Sequence, residues 1–356
     1  MWAILFFANG LLFGIMCVMN INKIFRKNKS VVYIAAFAVL AMLLFILQFG
    51  VRSPVNRATS FVINRGDSVS RVANRLAQKK LVVSNQTFKI AVRLNGGRVQ
   101  SGEYDIPRGI SAWGLARMFA NGDVAATTVV IPEGLTIKQI KQLLLQSSGL
   151  TGTVECESGK KEPVCNLKDG QVFPDTYRVA KGTSRLALLD LARKKMLDIE
   201  ENWKRAGQPK PRPLKNWNEV ITLASIVQKE TPQAEEMPIV ASVYVNRLRK
   251  GMRLQADPTV VYALTDGLGD MQGTPLLRGH LKTESPYNTY MRSGLPPAPI
   301  ANVGMAAIRA VLKPADTNYL FFVADGKGGH KFARDYEEHM QNHADWRKIK
   351  KIKNKN

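Results

Sequence analysis

The 356-residue sequence predicts an α+β protein carried behind an N-terminal membrane anchor. Three observations lead there. One short strand–turn–helix pattern recurs four times between residues 59 and 200. Residues 216–250 carry two helical periodicities separated by a proline. Val31–Phe49 is an apolar run without a charged residue.

In chain order the apolar run comes first. Its nineteen residues are enough to cross a bilayer, so a transmembrane helix is expected over 31–50. Lys23, Arg26, Lys27 and Lys29 precede it, and this basic flank holds the N-terminal side in the cytoplasm and exports the chain beyond residue 50. No small-residue cleavage site comes after a short apolar core, which argues against a removable signal peptide. Residues 1–30 are the cytoplasmic N-terminus or an extra apolar segment. Met1–Val18 reads equally as a first span or as residues ahead of a start at Met19, and both readings export the body.

The repeated unit is apolar, any residue, charged, Gly, any residue, Ser or Thr. It occurs as Ile63–Ser68, Ile106–Ser111, Ile131–Thr136 and Val179–Ser184. Each copy reads as a strand end, a turn whose glycine takes positive φ, and a hydroxyl N-cap that starts a helix. The resulting small α+β modules are unlike a parallel α/β sheet. They are also poor phosphate loops, since none has the GxxxxGK[ST] spacing. A helix is expected from Ser184 to about Arg205, then an extended linker, Gly207–Pro213.

Val220, Leu223, Val227 and Glu230 lie at i, i+3, i+7 and i+10, one side of a helix, with Asn216 or Asn218 as N-cap. Pro232 disfavours helix at Thr231 and leaves Glu230 in the last turn. An apolar flank and the negative end of the helix dipole both oppose ionisation there. A carboxyl kept protonated near neutral pH suits a general acid; the competing reading is a buried structural glutamate. A second helix, Met237–Lys250, ends at Gly251. Asp257, with Pro258 next to it, reads as an N-cap with Pro at N1. Tyr319–Ala324 is a strand leading into the hairpin turn Gly326–Gly329.

The loops beyond residue 254 combine Asn, Thr and Tyr in a way that suits carbohydrate, with planar polar groups for hydroxyls and rings for sugar faces. His339 and His343 are four apart on a helix but lack an HExxH glutamate, so a solvated face is expected and no metal site. No GxSxG is present. Cys156 and Cys165 bracket a polar loop in the exported body, where oxidation is expected, and a disulfide between them is predicted. The formal charge of +23 would suit nucleic acid, but an exported body points instead to anionic polymer or lipid outside the cytoplasm. Arg347–Lys355 contributes a basic tail, 347–356, that reads as a solvated end.

Longer motifs carry a family resemblance. ASIVQKET (224–231), VNRLRKGMRLQADPTVVYAL (245–264), SPYNTY (285–290), GLPPAPIANVG (294–304) and YLFFVADGKGGHKF (319–332) resemble the YceG-like endolytic murein transglycosylases. VIPEGLT (130–136) and VFPDTYRVAKGTS (172–184) look like segments of the same family, and FVINRGDSVSRVANRLA (61–77) is similar to its LysM-like module. The resemblance implies a LysM-like module over 55–125 and a catalytic domain over 126–346. It implies lytic cleavage inside peptidoglycan strands, giving 1,6-anhydro-N-acetylmuramic acid ends, with no cofactor. Its partners would be glycan strands, the inner membrane and peptidoglycan synthases, with the body in the periplasm. It places the catalytic acid at Glu230. Many relatives read EKET where this chain has Gln228-Lys-Glu-Thr, which leaves Glu230 the sole acid of the motif. Gln255, Asp257, Tyr287, Asn288 and Thr289 are the candidates for holding the sugar. A glycan-binding scaffold without catalysis, and a hydrolase using Asp257 as second carboxylate, are the alternatives.

Overall fold

The computed structural model describes residues 29–46, 54–157, 162–207, 211–269, 271 and 273–353. Helix α1 spans Lys29–Ile46. Its described side chains, among them Tyr33, Phe37, Leu40 and Leu44, are exposed. Eighteen residues rise about 27 Å, just under the roughly 30 Å of a hydrocarbon core. Among the described residues no helix is long and apolar enough to cross a membrane. Residues 47–50 of the expected span lie outside the described residues, as does the apolar segment 1–18.

The chain divides into two compact units, Met1–Ala125 and Ala126–Asn356. The first contains β1 (Thr59–Ile63), α2 (Val69–Gln78), α3 (Asn85–Leu94), β2 (Gly102–Ile106) and α4 (Ala112–Asn121). β1 and β2 pair antiparallel, with Phe61 opposite Tyr104. Both rings point into one core and meet Phe119 of α4, at centroid distances of 6.0 and 4.5 Å.

The second unit opens with the same construction. β3 (Ala126–Val130) and α5 (Ile137–Gln146) are followed by β4 (Thr176–Ala180) and α6 (Arg185–Arg205). β3 and β4 pair antiparallel, with Val129 opposite Tyr177. All four repeats fold as expected from their residues. Gly66, Gly109, Gly134 and Gly182 have φ between 77° and 84°. Ser68, Ser111, Thr136 and Ser184 each accept a backbone N–H of the first helical turn. A disulfide joins Cys156 to Cys165, Cα–Cα 5.4 Å, beside the core under α5 and α6.

The remaining elements enclose a separate core: α7 (Trp217–Glu230), α8 (Met237–Arg249), α9 (Asp257–Leu264), α10 (Met305–Leu312), the β5 (Phe321–Ala324) and β6 (His330–Ala333) hairpin, and α11 (Tyr336–Lys353). The fold is mixed α+β throughout, with three two-stranded antiparallel sheets among the described residues. Asn216 is the N-cap of α7, accepting the Glu219 N–H. Arg347–Lys353 continues α11 as its last turns, with Arg347 and Lys348 exposed, and Asp345 pairs with Lys348 and with Lys331 of β6.

Buried Asn302 ties the two parts of the second unit together. Its Oδ1 accepts the Val172 N–H, and its Nδ2 and main-chain N–H both donate to the Leu135 carbonyl. The loop carrying Asp169 passes tightly beneath α7. A Cβ on Gly170, at φ +80°, would lie 2.7 Å from Ile221 and from Pro299.

Candidate active site

Glu230 ends α7, and the turn after it is held firmly. Thr231 is buried, and its hydroxyl accepts the Gln233 N–H. Glu236 then accepts the His330 N–H at 2.9 Å and contacts the His330 ring nitrogen at 2.7 Å. Gln233 donates to the Gly328 carbonyl. The β5–β6 hairpin is thereby fastened over the end of α7. On the other flank, the Gln228 side-chain oxygen accepts the Gly304 N–H at 3.0 Å, at the start of α10.

Tyr244, on the buried face of α8, donates its hydroxyl to Glu230 Oε1 at 2.6 Å. Burial pushes the Glu230 carboxyl up to about 7; the Tyr244 bond opposes the rise, nearby Asp257 adds to it and Arg247 opposes it. At neutral pH the acid therefore keeps a substantial protonated fraction. Arg247 is itself buried and donates to the carbonyls of Leu320 and Leu254, so its charge is held close without forming an ion pair with Glu230.

Glu230 and Asp257 both line two cavities. One, of about 360 Å³, is walled by Tyr244, Arg247, Gln255, Tyr290 and three histidines, His330, His339 and His343. The other, of about 400 Å³, is walled by Lys229, Pro258, Tyr262, Thr274 and Ile300. The acid thus stands where two open spaces meet, and a long chain molecule could pass it on both sides.

The sequence-predicted sugar residues separate into two groups. Gln255 and Asp257 face the acid. Gln255 holds φ +50°, a conformation uncommon for a side-chain-bearing residue and one that gathers at functional sites. Asp257 is not an N-cap: α9 is capped by Ala256, and Asp257 occupies its first turn. Its carboxylate instead accepts the Tyr290 hydroxyl at 2.5 Å. Asn288 and Thr289 are 0% and 1% exposed. Asn288 donates to the Leu281 and Thr283 carbonyls and accepts the Tyr290 N–H. Thr289 accepts the Ala256 N–H and pairs with the Thr259 hydroxyl. Their polar atoms shape the loop that presents Tyr290 and Gln255, and they line neither cavity beside Glu230. Tyr287 lines a third space, away from the acid.

Six polar residues that line the cavity beside Glu230 were not legible as site residues: Tyr244, Arg247, Tyr290, His330, His339 and His343. The expectation of a solvated histidine face is corrected. α11 packs its His339 and His343 side against β5, with His339 stacked 4.9 Å from Phe321 and edge-on to His343 at 4.7 Å. Burial, then the His343 and Arg247 charges, hold the His339 pKa below its usual value. A tyrosine on the apolar face of α8 was the available signal for Tyr244, because a buried phenol needs a hydrogen-bond partner. Among the described residues no group of three or more His, Cys, Asp or Glu is arranged to hold a metal ion.

The framework that carries Glu230 is that of a known class. The YceG-like family profile matches residues 61–345, and the chain belongs to that family. It is 28% identical over 314 residues to the endolytic murein transglycosylase of Bacillus subtilis (strain 168), covering 80% of this chain and 85% of that protein. It is 25% identical over 318 residues to the protein of the same name from Streptococcus pneumoniae D39, of which it spans 57%. A crystal structure of a yceG-like protein from Listeria monocytogenes is 27% identical, with 80% of this chain and 99% of that chain covered and a TM-score of 0.48.

Proposed function

We propose that this chain is a lytic transglycosylase that cuts the N-acetylmuramic acid–N-acetylglucosamine bond inside peptidoglycan strands. The observation that carries the reading is Glu230, a carboxyl with a pKa of about 7 at the meeting of two cavities. Relatives bearing the name endolytic murein transglycosylase support it.

The chemistry asks for one acid. Protonated Glu230 gives its proton to the glycosidic oxygen as the bond to the anomeric carbon breaks. The muramic acid 6-hydroxyl, held on the same sugar, attacks that carbon, and Glu230, now a carboxylate, takes the hydroxyl proton. The products are a free 4-hydroxyl on one fragment and a 1,6-anhydro end on the other, and Glu230 is protonated again. Hydrolytic glycosidases commonly need a second carboxylate for water or a covalent intermediate; here the internal hydroxyl replaces both. Tyr244 orients the acid. Asp257, Tyr290 and Gln255 sit where the sugars flanking the cut would pass. Space on both sides of Glu230 suits cleavage within a strand, which would limit strand length.

In this reading residues 55–125 form a LysM-like module that holds glycan, and 126–346 form the catalytic domain. The apolar run 31–50, with its basic flank, anchors the body on the outer side of the plasma membrane near newly made strands and their synthases. The excess of 51 Lys and Arg over 28 Asp and Glu favours contact with acidic stem peptides and lipid head groups.

Mass spectrometry of digested, purified glycan tests the reaction. Anhydro ends are expected with the wild-type chain and absent with Glu230→Gln. Reducing ends in their place would mean hydrolysis with Asp257 as partner, and intact glycan would mean a binding scaffold.

A further inference from the structure

A third cavity, of about 470 Å³, opens beyond Tyr262, whose ring lines both it and the cavity next to Glu230. Its aromatic wall is a pair, Tyr262 and Tyr287, with ring centroids 4.8 Å apart and planes tilted by 46°. Beneath them lies Asp169, a buried carboxylate with both oxygens engaged. One accepts the Ile137 N–H at 2.6 Å and the other the Tyr262 hydroxyl at 2.6 Å. The phenol is fixed in one direction by a charge-assisted bond, and the ring is fixed with it. Lys138 and Asp266 form a pair on the rim, at 2.7 Å.

Three ligand classes can be compared against this wall. An anion finds no net positive charge, because Lys138 and Lys168 on the lining are offset by Asp169 and Asp266. An apolar ligand would strip water from the Lys138–Asp266 pair and from the exposed backbone of the Ser285–Tyr287 turn. A sugar meets neither penalty: its carbon face lies on the rings and its hydroxyls reach the donors and acceptors of the rim.

We propose that this cavity is a distal saccharide subsite, which takes an N-acetylated sugar of the same strand beyond those touching Glu230. The proposal rests on the glycan-cleaving reading and deepens it. A strand end too short to reach Tyr262 and Tyr287 forgoes that stacking, so long strands are cut in preference to short ones. Tyr262 and Tyr287 are specificity-determining residues, and Asp169 is the positioning residue behind them.

NMR titration of the Glu230→Gln chain with chitohexaose, an uncleaved N-acetylglucosamine oligomer, reads the site without disturbing it. Shifts are expected at Tyr262, Tyr287 and Lys138. Shifts confined to residues around Glu230 would overturn the subsite. Kinetics on the Tyr287→Ala chain give the second arm. kcat/KM on long uncross-linked strands should fall about tenfold more than on a tetrasaccharide, the order of one aromatic stack; equal losses on both substrates would overturn the proposal. If the wild-type chain makes no anhydro ends while chitohexaose still shifts Tyr262 and Tyr287, the subsite stands and the reaction reading falls.

Discussion

Removing the Tyr244 hydroxyl should move the pH range over which the protein works. The phenol donates to Glu230 Oε1 at 2.6 Å, inside a buried setting that holds the acid at about 7. A hydrogen bond to an ionised carboxylate contributes roughly 1.5–3 kcal/mol, against about 1 kcal/mol for a bond to the neutral acid. The difference, about 1.4 kcal/mol, is one pKa unit, and its sign favours the ionised form. Tyr244→Phe therefore raises the Glu230 pKa from about 7 to about 8. Since the first proton transfer needs the protonated acid, kcat/KM for anhydro-end release should fall with rising pH about a unit later than in the wild-type chain. The profile is read by timed digestion and mass spectrometry between pH 5 and pH 9, a window of about four units that brackets both midpoints. Asp257, Arg247, His330, His339, His343 and Tyr290 face the same cavity. They are common to both chains, so the difference between the profiles isolates the phenol. A midpoint that stays put, or moves down, would refute the reasoning and leave Tyr244 with a packing role.

Two further outcomes concern stability. Asn302→Ala leaves the buried Val172 N–H without its acceptor and removes a donor to Leu135; a loss of about 2–4 kcal/mol is expected in denaturant unfolding. Cys156→Ser opens a loop with a sequence separation of 9, which should cost about 3 kcal/mol, with wild-type protein under reducing conditions showing the same loss.

The fold was legible where the physics is local. A strand end, a glycine at positive φ and a hydroxyl cap lie within six residues, so each of the four repeats signals its own conformation. The exit of α7 before Pro232 was equally local, and it placed Glu230 in a last helical turn. The surroundings of that residue were not legible in the same way. Tyr244 arrives from the next helix, Tyr290 from a loop, and the histidines from the hairpin and α11, and no spacing rule joins residues so far apart in sequence. The histidine pair shows the cost of reading a helix face alone. Polar neighbours on α11 suggested solvent, but β5 packs against that face. Asn288 and Thr289 show the converse: residue types that suit sugar also suit the inside of a tight loop, and here both side chains are buried in one.

The fastening of the β5–β6 hairpin over the end of α7 has a consequence for the timing of synthesis. A growing chain that has reached residue 300 holds all of α7 and α8 but lacks α10, whose Ala307, Ile308, Ala310 and Val311 belong to the core those helices share. It lacks Phe322, His330, His339 and His343, and it lacks the His330 bonds to Glu236 that secure the turn after the acid. One wall of the cavity beside Glu230 is then missing and water reaches the carboxyl, so its pKa returns toward that of an ordinary glutamate. On the proposed reading, an acid able to give up a proton near neutral pH forms only once the hairpin and α11 close over the site.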